Sequence, residues 1–154
     1  VAATRQPGQQ RPGLAVEAGR EDPLMAALWP YLLVGIGGFL GANARFLLAR
    51  WADALFGARF PLGTFAANMS GSFLLGMLGA LLADRALPNS DAVRLALGVG
   101  FLGAFTTFST FEFETHALFE DGSWLAATTN LFASLFLGLV AVRAGILAAR
   151  TWLP

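Results

Sequence analysis

Gly100-Phe101-Leu102-Gly103-Ala104-Phe105-Thr106-Thr107-Phe108-Ser109-Thr110-Phe111 sets four hydroxyls within five positions, interleaved with phenylalanine, at the end of a run of 17 residues without a charge, Leu95–Phe111. A Ser or Thr in an apolar helix ordinarily bonds back to a carbonyl one turn earlier. One such residue changes little. Four together, shortly after Gly103, predict that the helix is interrupted. Backbone that leaves the helix at membrane depth survives only where protein buries it or where it lines a wet cavity. The fold therefore turns on whether this run crosses a membrane.

The flanking sequence answers that. Three further stretches carry no charge: Leu24–Ala44 with 21 residues, Phe60–Ala83 with 24 and Gly122–Val142 with 21. A helix needs ~20 mainly apolar residues to cross the ~30 Å hydrocarbon core. The third run is short before Glu112, but its apolar pattern resumes through Ala117, Leu118 and Phe119. The expectation is an all-α membrane protein with four transmembrane helices at about Trp29–Ala49, Leu62–Ala83, Ala92–Phe119 and Trp124–Ala148. The loops between them are short, so neighbours run antiparallel. Residues 1–23, rich in Gln, Pro, Gly and Arg, read as a disordered tail or extension, leaving 24–154 as the transmembrane domain.

Composition agrees. Of 154 residues 56% are hydrophobic and only 13% charged, against roughly 25% charged in globular chains. Ten arginines, with no lysine, balance ten acids, so there is no basic excess with which to bind nucleic acid. No cysteine is present and His116 is the only histidine, which removes thiolate chemistry and His-rich metal sites. Outside the tail the loops and ends divide the arginines nearly evenly: Arg85, Arg94, Arg143 and Arg150 on one side, Arg45, Arg50 and Arg59 on the other. Arg5, Arg11 and Arg20 of the tail tilt the count toward the first side, with Arg5 and Arg11 near or beyond the window in which charges count. The positive-inside rule then gives little preference for one orientation.

Polar groups inside the runs are uncharged. Asn68, Ser70 and Ser72 lie in the second run; Thr128, Thr129, Asn130 and Ser134 lie in the fourth. Without Asp, Glu or Lys in these cores, proton-coupled transport and intramembrane hydrolysis lack their titrating groups. Amide N–H, hydroxyl O–H and the positive edges of Phe rings remain. Such donors suit an anion. Gly37 and Gly41, then Gly71, Gly76 and Gly79, then Gly98, Gly100 and Gly103 fall at spacings that let helices approach closely in lipid.

Four landmarks occur in order: Gly37-Gly38-Phe39-Leu40-Gly41-Ala42-Asn43-Ala44-Arg45, Pro61-Leu62-Gly63-Thr64-Phe65-Ala66-Ala67-Asn68, the Gly100–Phe111 segment, and Asn130…Ser134…Gly138. From about Tyr31 to Ala149 the chain resembles the Fluc/CrcB family of small fluoride channels. The resemblance implies a passive, fluoride-selective channel of the cell membrane that relieves fluoride toxicity and is not an enzyme. It also implies an antiparallel, dual-topology homodimer with two pores. By this resemblance Asn68 presents its amide to fluoride, Phe108 and Phe111 present ring edges, and Ser109, Thr110, Ser134 and Asn130 complete a polar path. Arg45 stands near the vestibule and Glu114 follows the break. The resemblance further implies that the carbonyls of Gly103 and Thr106 hold a structural Na⁺ on the two-fold axis. Where the family often has a second hydroxyl one turn after Ser134, this chain has Gly138. A small multidrug-type exporter also has four helices, but it needs a membrane carboxylate that Leu24–Ala44 lacks. A purely structural subunit leaves the Thr/Ser/Phe cluster unexplained.

Overall fold

The computed structural model describes residues 22–84 and 87–152, so most of the tail expected at 1–23 lies outside the described residues. Among the described residues the chain is helical and has no strand. In order come α1 (Pro23–Phe56), α2 (Leu62–Ala83), α3 (Ser90–Val93), a π-helical run (Arg94–Leu102), α4 (Gly103–Phe105), α5 (Phe108–Glu120) and α6 (Trp124–Trp152). Among the described residues four helical stretches are long and apolar enough to cross a membrane: Pro23–Phe56, Leu62–Ala83, Ser90–Glu120 and Trp124–Thr151.

The second span has the bounds its charge-free run predicts. The first is longer than expected at both ends. Asp22 caps it, its carboxylate accepting from Leu24 N at 3.0 Å with Pro23 in the first turn, an arrangement that stabilises a helix start whatever the hydropathy. The helix runs on to Phe56, where Gly57 at φ 77° turns the chain away. Its 34 residues rise about 50 Å at 1.5 Å each, so it outlasts the hydrocarbon core that the apolar run alone measures.

Lipid removes the hydrophobic drive between helices, and close packing must replace it. Here glycine provides it. A Cβ on Gly37 or Gly41 would collide with backbone atoms of Ala96 or Phe101, which seats α1 on the π-helical run; a Cβ on Gly76 would strike the Val142 carbonyl and one on Gly145 the Phe73 carbonyl, which seats α2 on α6. Gly145 belongs to no spacing marked in the sequence. Gly79, which does, meets nothing within 4 Å. The core is thin and mixes alanines such as Ala52, Ala67, Ala127 and Ala149 with Leu78, Leu102, Phe105 and Phe111, while Phe39, Phe46, Leu125 and Phe136 face outward.

Candidate functional site: the interrupted third span and its groove

Backbone groups must find partners wherever a helix stops. α4 ends at Phe105; Thr106 (φ −85°, ψ 155°) and Thr107 (φ −151°, ψ 127°) are extended, and α5 begins at Phe108. Thr107 N donates to Asn68 Oδ1 at 2.8 Å instead of returning one turn to Gly103, and Asn68 Nδ2 donates to the Thr107 carbonyl at 3.0 Å. One amide from α2 thus satisfies both backbone groups of an extended residue. Thr107 then caps α5: its hydroxyl accepts from Thr110 N at 3.3 Å and donates to Thr110 Oγ1 at 3.0 Å. Arg45 Nε donates to the Ala104 carbonyl at 3.2 Å. Thr106 returns its own hydroxyl to Leu102 and packs its methyl against Gly71. The break separates the carbonyls from Gly103 to Thr106 from their helical partners, Thr107 N and Thr110 N bonding instead to the side chains of Asn68 and Thr107.

Beside this interruption a groove of ≈ 580 Å³ runs between α2, α5 and α6. Asn68, Met69 and Ser72 line it from α2; Phe108, Phe111, Glu112, Thr115, His116 and Phe119 from α5; Leu131, Ser134 and Leu135 from α6. It therefore gathers four of the seven candidate pore residues, Asn68, Phe108, Phe111 and Ser134. The Phe108 and Phe111 ring centroids lie 5.9 Å apart at 42°; Phe108 is 70% exposed and Phe111 only 8%. Asn130 stands behind the groove, 1% exposed. It links Ser134, whose hydroxyl lies 3.4 Å from Asn130 Oδ1, to Thr115, which accepts from Asn130 Nδ2 at 2.8 Å and donates to the Phe111 carbonyl at 2.7 Å. Thr110 belongs to the cap of α5, and exposed Ser109 is not in the groove lining.

Glu112 and His116 follow Phe108 by one and two turns, so the groove's titratable groups are confined to its α5 wall. His116 Nε2 lies 3.6 Å from Glu120 Oε1 on the exposed face. Glu114 points elsewhere: Thr64 donates to its Oε1 at 2.9 Å, and its buried Oε2 has no partner among the described residues. Thr107, read from the sequence only as one hydroxyl of the cluster, and Thr115, not marked there at all, are the positions that the structure ties most closely to the candidate residues. Both matter through partners 39 and 15 residues away, and only Thr107's place before an apolar turn hinted at a cap.

Four helices long and apolar enough to cross a membrane, one of them interrupted beside a groove lined by Asn68, Ser134 and two phenylalanines, define a multi-pass membrane protein. A family model described as "CrcB-like protein, Camphor Resistance (CrcB)" matches residues 32–146, and the chain belongs to that family. It is similar to the "Fluoride-specific ion channel FluC" of Solibacter usitatus (strain Ellin6076), 46% identical over 120 residues, 78% of this chain and 98% of that one. It is likewise similar to the protein of that name from Geobacter sulfurreducens (strain ATCC 51573 / DSM 12127 / PCA), 48% identical over 119 residues, 77% of this chain and 95% of the relative. To "Fluoride-specific ion channel FluC 2" of Moorella thermoacetica (strain ATCC 39073 / JCM 9320) it is 47% identical with the same coverage.

Proposed function

We propose that this chain is a fluoride-specific ion channel, not an enzyme, that lets fluoride leave the cell passively across the inner or plasma membrane. The observation that carries the reading is the meeting, in one groove at the interruption of the third span, of the Asn68 amide, the Ser134 hydroxyl and the Phe108–Phe111 pair. Fluoride is small and strongly hydrated, so several close donors must replace its water. Asn68 has a second N–H beyond the one given to Thr107, and aromatic edges add positive potential without a fixed cation. Conduction requires binding firm enough to admit the ion and weak enough to release it.

The groove is open along Phe108, and Gly103 is also exposed in the single chain. A second, antiparallel copy fits this exposure and the near-even arginine distribution outside the tail, and it would close two such grooves into two pores. The carbonyls of Gly103 and Thr106, released from helical bonding, offer hard oxygen donors of the kind Na⁺ takes, as other hard cations do. Bound there, Na⁺ would supply positive charge that holds carbonyl dipoles together. Arg45, tied to Ala104, sets the end of α4 and leaves the rest of its guanidinium to attract anions at the vestibule.

Purified protein in liposomes loaded with potassium fluoride, monitored with a fluoride electrode, tests the reading. Rapid efflux on adding a potassium ionophore, with chloride retained, is expected. Fluoride retained at the level of empty liposomes overturns it.

A further inference from the structure

Ser72 stands one turn after Asn68 on α2, so the two side chains share a face, and both line the groove. Other hydroxyls nearby return their proton to the carbonyl one turn back, Ser70 to Ala66 and Thr115 to Phe111, each at 2.7 Å. Ser72 is half-buried in the groove wall, and among the described residues it shows no return bond of the kind Ser70 and Thr115 make. Its oxygen is not among the buried side-chain atoms left without a partner, so the hydroxyl stays open to the groove and can donate to what the groove holds.

The facing helix is bare at this level. One turn beyond Ser134, α6 carries Gly138, and a Cβ built there would lie 4.0 Å from Ser72 Oγ and 3.5 Å from Met69 Cε. The other donors are partly engaged, since Asn68 holds both backbone groups of Thr107 and Ser134 lies against Asn130. We infer that the Ser72 hydroxyl is an anion-coordinating donor of the groove, placed on α2 at the level where α6 contributes no side-chain donor, and that it receives the ion one helical turn beyond Asn68. The inference rests on the fluoride-channel reading and adds to it a residue and a step in the path.

The spare volume at Gly138 provides the test. Contacts of 3.5 and 4.0 Å are ordinary, so a serine there can return a hydroxyl to the same level from the opposite wall. Fluoride-electrode efflux is measured from liposomes holding the parent chain, Ser72→Ala, Ser72→Ala/Gly138→Ser and Ser72→Ala/Gly138→Ala. Loss of one hydrogen bond to an ion corresponds to about tenfold or more, so Ser72→Ala should slow efflux by about that factor. Gly138→Ser should restore most of it and Gly138→Ala none. Parent-rate efflux from Ser72→Ala overturns the inference while leaving the channel reading in place. So does a loss that serine and alanine at 138 leave equally unrepaired, because only packing would then be at issue. No efflux from the parent chain removes the channel reading and this inference together.

Discussion

Phe108 and Phe111 are three residues apart and face the same groove, yet their surroundings differ, and that difference separates their roles. Phe111 is 8% exposed beneath α6, whereas Phe108 is 70% exposed in the single chain. Isoleucine keeps either site apolar but removes the positive ring edge. Phe111→Ile should therefore lower stability by about 1–3 kcal/mol through misfit packing and also slow fluoride efflux. Phe108→Ile should slow efflux while the melting temperature in detergent shifts far less. Parent-rate efflux from both variants would take the rings out of the path. That this run is unusual was legible in the sequence, since hydroxyls interleave there with aromatic residues, whereas these two phenylalanines were singled out by the family resemblance. Asn68 was legible as a polar residue in a span. Its reciprocal pair with Thr107 was not, because two groups 39 residues apart meet only once α2 and the third span have packed.

At the scale of the element, charge-free length measures how much helix a membrane covers and says little about where a helix stops. α2 ends where its apolar run ends, at Ala83 next to Asp84, and so matches expectation. α1 overruns because the Asp22 cap and Gly57 set its ends. The interruption after Phe105 follows from local chemistry that the sequence displays, four hydroxyls after Gly103, with Thr107 as the cap. Glycine spacing is a weaker guide, because close approach needs a partner as well as a small residue. Gly76 meets the Val142 carbonyl, whereas Gly79 meets open space. Gly76→Ala is thus expected to destabilise the detergent-purified protein by about 1–3 kcal/mol, the usual cost of overpacking. Gly79→Ala should be neutral or gain up to about 1 kcal/mol from helix propensity. Thermal unfolding of the two variants side by side checks this; equal shifts would mean that α2 and α6 do not pack through Gly76.

For the whole molecule, the single chain presents apolar outer faces and a groove open on one side. The proposed antiparallel pair has a direct signature in a chain without cysteine. Ala58, exposed in the loop between α1 and α2, replaced by cysteine, should be labelled by an impermeant maleimide from both sides of native membranes, about half of the molecules from each. Labelling from one side alone would remove the antiparallel arrangement. The proposed sodium site is tested at Gly103, where a Cβ meets only the Gly98 carbonyl at 3.7 Å within its own chain. Gly103→Leu should leave the subunit folded yet weaken the dimer and abolish any difference in its stability between sodium and N-methylglucamine buffers. A dimer unchanged in both respects would exclude the cation from that position.

The central claim is that the groove beside the interrupted span conducts fluoride itself, as an ion and without a coupled partner. Current through a planar bilayer containing the purified protein, with fluoride at different concentrations on the two sides and chloride equal, tests it most directly. The account predicts a current that reverses at the Nernst potential of fluoride and does not move when chloride is varied. A current that reverses at the chloride potential, or fluoride transport that carries no current, would contradict it.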